Sequence, residues 1–249
     1  MRYERLEQIR NILKKTKSVS LNQLCNDFKV SKNTIRRDVD ELEKKGEIVK
    51  FYGGIRLPDI SSEPLPIDDR MIAHAEAKRI VAKKAAEQVR SGDIVYIDSG
   101  STTVYMPQFL KDTQDITIIS NSFRVIEEAV HYRLNLIVLG GMLYLPSESF
   151  IITDASDVLR RYNITKAFMA SSGVSFHNGA TNASPLETSI KQAVMRENTI
   201  RYLLIDSSKF GRNALMTYSN LTDFQYVISE VDPPAEYAEY FRKHKITVI

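Results

Sequence analysis

Several short stretches place small hydroxylated residues, glycines and isolated charges directly after apolar runs. Backbone amides and side chains grouped in this way can hold an anion. In IVYIDSGSTT, Asp98, Ser99, Gly100, Ser101, Thr102 and Thr103 follow a strand-like run and open a helix. Unpaired N–H groups at a helix start form a cradle for phosphate, although the same residues also suit an ordinary strand-to-helix turn. In ISNSFRV, Asn121 and Ser122 close another run, either as partners for ligand hydroxyls or as a helix cap. VLGGM sets Gly140 and Gly141 after a third run, for close backbone approach or only for a tight turn. FMASSGV offers Ser171, Ser172 and Gly173.

Two charged pairs complete the set. SPLETSIK starts a helix with Ser184 as N-cap and Glu187 completing a capping box. Glu187 and Lys191 stand four apart and can pair on the helix surface. YLLIDSSKFGR ends a run at Asp206, with Lys209 three residues on. That carboxylate and ammonium suit sugar hydroxyls and phosphate together, or simply each other.

The elements that must position these residues alternate in type. The runs 94–98, 116–120, 135–141, 166–171, 202–206, 226–229 and 246–249 are strand-like, with helical stretches at 76–90, 123–132 and 184–197 between them. Continuous apolar strands alternating with helices predict an α/β domain built on a mostly parallel, buried sheet. Ligands in such sheets sit at the carboxyl ends of the strands. Pro107 fits the first turn of the helix after 99–103.

Residues 1–57 have a different character. They hold 14 Lys and Arg against 8 Asp and Glu, while the rest of the chain holds 20 against 23. A basic head on a slightly acidic body suits a polyanionic partner. Three helices are expected here, from about Tyr3 to Lys15, from near Ser20, and from Ser31 to Gly46. Ser31 is the N-cap of the third and Gly46 its terminator. Leu6, Ile9 and Leu13 stripe the first. Leu21, Leu24, Cys25 and Phe28 face inward from the second, with Cys25 a small core residue. On the third, Val39 and Leu42 fall within about 40° to either side of Ile35 at 100° per residue. Asn33, Arg36, Arg37, Asp40 and Lys44 lie opposite. Amide and guanidinium groups near a helix start read base edges in the major groove, and Lys32, Thr34 and Lys44 suit phosphate contacts. EIVKFYGGIRL is expected to form a hairpin wing turning at Gly53-Gly54, with Lys50, Tyr52 and Arg56 flanking the DNA backbone. Residues 58–70, PDISSEPLPIDDR, have three prolines and no periodicity and are expected to be a linker. The domain reading is therefore 1–57, 58–70 and 71–249.

Composition narrows the class further. Hydrophobic residues make up 43% and charged residues 26% of 249, as in an ordinary globular chain. No apolar run reaches the roughly 20 residues of a bilayer span. The opening MRYERLEQIRN lacks the apolar core of an export signal, and the single cysteine forms no internal disulfide. A cytoplasmic location without membrane contact is expected. His74, His131, His177 and His244 are scattered, so neither a metal nor another cofactor is expected.

The string VSKNTIRRD, followed by LEKKG and YGG, resembles the head of the DeoR family of bacterial sugar-catabolism regulators. The LC…F.VSKNT wording is similar to that of inositol-catabolism repressors. The resemblance runs over nearly the whole chain and implies a winged helix-turn-helix plus a body similar in fold to ribose-5-phosphate isomerase. It implies a repressor of a carbohydrate operon that binds double-stranded operator DNA and is relieved by a phosphorylated small-molecule effector. Asp98, Ser99, Gly100, Ser101, Thr102, Thr103, Asn121, Ser122, Gly140, Gly141, Ser172, Gly173, Glu187, Lys191, Asp206 and Lys209 are the ligand set, with Lys191 the phosphate partner. Ser31, Lys32, Asn33, Thr34, Arg36, Arg37, Lys44, Lys50 and Tyr52 are the DNA set. The family usually shows Gly-Thr-Thr where this chain reads Gly-Ser-Thr-Thr, and Thr-Asn where Ser120 precedes Asn121. Isomerases of the related fold carry an acidic loop where this chain reads ASSGV, 170–174, so binding without turnover is implied. A homo-oligomer, dimeric or tetrameric, follows from the repeated half-sites that such heads read.

Overall fold

The computed structural model describes residues 2–16, 18–44, 47–51, 53–56, 60–61, 66–196 and 198–249. The head is built on the helices Arg2–Thr16, Leu21–Phe28 and Lys32–Lys44. Leu6, Ile9, Leu13, Leu24, Ile35, Val39 and Leu42 close one apolar core between them, as their spacing predicts. Cys25 is half-buried and packs against that core. Ser20 caps the second helix by accepting from Gln23 N at 3.1 Å, and Ser31 Oγ accepts from Thr34 N at 3.3 Å.

The wing is a three-stranded sheet. Val49–Phe51 pairs with Gly54–Arg56, and Gly54–Arg56 also pairs with Ser18–Ser20. The strand Ser18–Ser20 has no signature in the sequence; three residues between two helices are too few for period-two alternation to show. The turn is one residue earlier than expected. Gly53 supplies the positive φ of 83°, while Gly54 already pairs with Phe51.

In the body, all seven expected strands join one parallel sheet. Its order is Thr247–Val248, Tyr226–Ile228, Ile200–Leu204, Lys166–Ala170, Ile94–Ile97, Thr117–Ser120, Asn135–Val138. Lys166–Ala170 is buried along its whole length, which explains its unbroken apolar run. The chain winds outward from Ile94–Ile97 in one direction, returns, and winds outward from Lys166–Ala170 in the other. The crevice between the carboxyl ends of these two strands is the topological switch point. A three-stranded antiparallel sheet, Gly173–Ser175, Gly179–Asn182 and Met216–Ser219, caps that end.

The expected linker is partly ordered into secondary structure. Ile60–Ser61 pairs in parallel with Asn213–Ala214, and residues 67–70 already belong to the helix Ile67–Ile72. That helix buries Ile67, packs Met71 on the second core cluster, and ties Asp68 to Arg124 at 2.9 Å. Pro66 sits before its first turn, where a missing N–H costs nothing. Among the described residues no helix is long and apolar enough to cross a membrane.

Candidate functional site

On the third head helix, Lys32, Asn33, Arg36, Arg37 and Asp40 are exposed, while Thr34 is half-buried. Ser31 is exposed beside the cap it forms. The opposite face also buries Asp38, which takes Arg5 at 2.5 Å and so fixes the first helix across the third. Lys44 lies in the helix; its side chain, Tyr52 and Gly46 fall outside the described residues. Lys50 differs from the DNA-flanking role expected of it. Its ammonium is 2.6 Å from Asp40 and 2.5 Å from Glu43, so its charge is taken up within the head.

At the switch point of the body lies a cavity of about 150 Å³. It brings together Ser99, Gly100, Ser101, Ser171, Ser172, Glu187, Lys191 and Lys209 from the candidates read in the sequence, and adds Arg70, Asn182 and Arg212. Asp98 lies just behind. Its Oδ2 accepts from Ala170 N at 2.9 Å and from the Lys191 ammonium, and Lys191 also donates to Ala170 O at 3.1 Å. Asp98 Oδ1 is buried without a partner among the described residues, the kind of orphan that a bound hydroxyl or water satisfies.

Glu187 and Lys191 do not pair on a surface. Both are buried, at 3% exposure each. Glu187 Oε1 accepts from Ser99 Oγ at 3.0 Å and Ser149 Oγ at 3.1 Å, while Lys191 is spent on Asp98. The expected capping box is also absent. Ser184 starts the helix Pro185–Val194 without a side-chain cap bond, and the Glu187 carboxylate accepts from Ser99 and Ser149 instead.

The loop 99–103 approaches its neighbour strand closely. A Cβ on Gly100 would stand 2.2 Å from Ala170 Cβ. Thr103 Oγ1 accepts from Gly100 N at 2.9 Å and reaches Asp98 O at 2.6 Å, so it shapes the loop from beneath. Thr102 is buried at the start of the turn Thr103–Tyr105. Ser101 keeps its place on the cavity wall.

Other expected ligand residues lie off the cavity. Asn121 is fully buried, accepts from Tyr96 OH at 2.8 Å and donates to Phe150 O at 3.1 Å. Ser122 caps the helix Phe123–His131 through Val125 N. Gly140 is exposed beside Gly141, whose φ of 155° and would-be Cβ contact of 2.2 Å with Ile151 O serve the hairpin Met142–Tyr144 and Ser149–Ile151. Gly173 begins a strand of the capping sheet. Asp206 is buried and caps its own turn through Ser208 N at 3.0 Å; among the described residues it makes no ion pair with Lys209.

Sequence reasoning missed Arg70 and Arg212. Arg70 stands in the stretch read as linker, and only the packing of Ile67–Ile72 aims it at the cavity. Arg212 ends the quoted string KFGR, where a basic residue beside Lys209 was the available signal. Burial lowers the proton affinity of Lys209 and of Arg70, as expected for cations collected around a cavity. Behind them Lys78 is buried and donates to Arg70 O and, at 2.6 Å, to Ala73 O. Its pKa is pulled down to about 8 by burial, then by Lys209. Among the described residues no three His, Cys, Asp or Glu cluster as metal ligands.

A model of the DeoR-like helix-turn-helix domain matches residues 5–61, and one of the DeoR C-terminal sensor domain matches 73–231. The HTH-type transcriptional regulator IolR of Bacillus subtilis is 34% identical, over 100% of this chain and 99% of its own. The lactose phosphotransferase system repressor of Staphylococcus epidermidis is 29% identical, over 92% of each. Among solved structures, ribose 5-phosphate isomerase A from Methanocaldococcus jannaschii aligns over 55% of this chain and 54% of its own, with 19% identity and a TM-score of 0.41.

Proposed function

The chain belongs to the DeoR family, and from that premise we propose a transcriptional repressor of a carbohydrate-catabolism operon, relieved by a phosphorylated sugar or sugar-derived metabolite. The observation that carries the reading is the pairing of two surfaces in one chain. An exposed amide and guanidinium face lies on the helix Lys32–Lys44. A cavity at the switch point gathers Lys209, Arg70 and Arg212 beside the hydroxyls of Ser99, Ser101 and Ser172. Guanidinium and ammonium groups bind phosphate oxygens through charge-assisted bonds, and serine hydroxyls match a polyol.

Catalysis is not part of the proposal. The described cavity-lining residues include one carboxylate, Glu187, and its Oε1 already accepts two serine hydroxyls. The acid-free stretch 170–174 supplies no base beside a sugar carbon. The protein acts in the cytoplasm as a homo-oligomer, dimeric or tetrameric, on repeated half-sites. Exposed Val138, Met142, Leu143 and Leu145 on and beside the edge strand suit such self-association.

Fluorescence anisotropy of the full chain with DNA upstream of its own operon tests the reading, with and without a panel of sugar phosphates. Salt-sensitive binding released by one compound is expected, with Lys209→Ala abolishing release and keeping DNA binding. No DNA binding at low salt overturns the regulator. Turnover of a sugar phosphate by concentrated protein overturns the non-enzymatic reading.

A further inference from the structure

The cavity wall carries four cations, Arg70, Lys191, Lys209 and Arg212, against the single carboxylate of Glu187. Lys191 is neutralised by Asp98. Among the described residues no carboxylate forms an ion pair with Lys209 or Arg212. Arg70 and the buried Lys78 stand near these two, so that each lysine's proton affinity is lowered by Arg70, while Arg70 itself faces the carboxylates of Glu187 and Asp98. The carboxylate felt by both lysines is Asp206, whose Oδ1 is committed to Ser208. Like charges gathered in a half-buried wall repel strongly, and an anion in the cavity relieves that repulsion.

The cations also arrive from separate elements. Arg70 comes from the helix Ile67–Ile72, Lys209 from the turn Ser207–Lys209, and Arg212 from the loop before Asn213–Ala214. Donors converging from several sides suit an anion with several acceptor oxygens, as a phosphate group has. Arg70 differs from the others in one respect. The chain leaves the head's wing at Arg56, pairs Ile60–Ser61 with Asn213–Ala214 of the body, and then forms this helix.

We infer that Arg70 joins Lys209 and Arg212 in the subsite for the effector's phosphate, so that filling the cavity clamps the head-to-body segment onto the body. The inference rests on the ligand-regulated reading above and locates its coupling element. Lys78 supports the same helix from behind, holding its last turn through the carbonyls of Arg70 and Ala73. A ligand that draws on the Arg70 guanidinium therefore acts on a helix already fixed at its far end, and differential binding to that fixed arrangement is what shifts the head.

The test uses the full chain with inorganic phosphate as probe and acetate as control. Calorimetric titration gives affinity, and hydrogen exchange follows the amides of 67–72. Phosphate, and not acetate, is expected to bind and to slow exchange in the helix. Arg70→Gln is expected to weaken phosphate binding by about tenfold or more and to remove the slowing, with Arg70→Lys restoring part of both. An unliganded melting temperature equal to that of the parent shows that Arg70→Gln is folded. Parent-like phosphate affinity in Arg70→Gln overturns the inference, as does phosphate binding that leaves exchange at 67–72 unchanged. If a sugar phosphate releases operator DNA equally from the parent and Arg70→Gln, the regulator stands and Arg70 is not its coupling element. If phosphate binding depends on Arg70 while no sugar phosphate alters operator affinity, the subsite stands and the regulator reading falls.

Discussion

Lys191 and Asp98, 93 positions apart in sequence, form a buried ion pair where the winding of the sheet reverses. The side chains are 4% and 0% exposed, and the Ala170 amide and carbonyl complete the set. The pair joins the helix Pro185–Val194 to the ends of both central strands. Removing one partner leaves an uncompensated buried charge, which costs about 3–5 kcal/mol. Lys191→Met and Asp98→Asn should each lower unfolding free energy by that order in urea denaturation. The double variant should recover most of the loss. Equal losses in the single and double variants would show that the pair is not the source.

The head offers a sharper contrast than charge alone suggests. Arg37 is exposed on the helix face opposite Ile35, whereas Lys50 is held by Asp40 and Glu43. Arg37→Ala should weaken operator binding by about 1–3 kcal/mol and relax sequence preference. Lys50→Ala should leave the salt dependence of binding nearly unchanged, since its charge is compensated before DNA arrives. Anisotropy at several salt concentrations separates the two. A larger loss for Lys50→Ala would move the DNA contact from the helix to the wing.

The sheet and the head core were readable because burial leaves periodic traces. The seven apolar runs became seven strands, and Ile35, Val39 and Leu42 became the inner face of one helix. The cavity was readable only where its residues follow strands directly, as Ser99, Gly100 and Ser101 do. Asn121 looks like a site residue in sequence because a buried amide that stitches a hairpin and one that binds a ligand share a local signature; only the partners Tyr96 and Phe150 distinguish them. Arg70 left no local signal. Its position depends on packing of Ile67 and Met71 against the body, a long-range fact absent from PIDDRMI. Spacing alone offers Glu187 as a cap or as a surface partner of Lys191; the partners it finds, Ser99 and Ser149, are 88 and 38 positions away.

Gly100 tests how tightly the loop is set against the sheet. An added Cβ would stand 2.2 Å from Ala170 Cβ and 3.2 Å from Thr103 Oγ1. The first neighbour belongs to a buried strand residue and cannot swing aside. Gly100→Ala should therefore displace the loop or the strand end, at a cost of about 1–3 kcal/mol. Because Ala170 bonds both Asp98 and Lys191, the displacement should also reach the ion pair. Urea denaturation and phosphate titration should both register it. Parent-like stability with parent-like binding would mean that the loop yields freely, and would remove it as a rigid wall of the site.

Proton linkage at Lys78 gives a prediction about pH. Burial comes first in lowering its pKa from 10.5 to about 8, Lys209 and Arg70 push the same way, and Asp206 opposes them. Its charged form is therefore disfavoured in the folded chain. Below pH 8 both folded and unfolded states hold the proton, and the full penalty is present. From about 8 to 10.5 the unfolded chain holds more protons, so stability without ligand should rise across that window. Phosphate in the cavity favours the charged form, so its binding takes up a proton and its affinity should fall as pH rises through 8. Lys78→Met should reduce both slopes. Lys209, lowered in the same direction by its own burial, should keep part of each. Melting temperatures from pH 7 to 10, with and without phosphate, check the sign. Phosphate affinity that rises with pH over that range would show that the cavity cations are charged throughout and that Lys78 is not linked to the site.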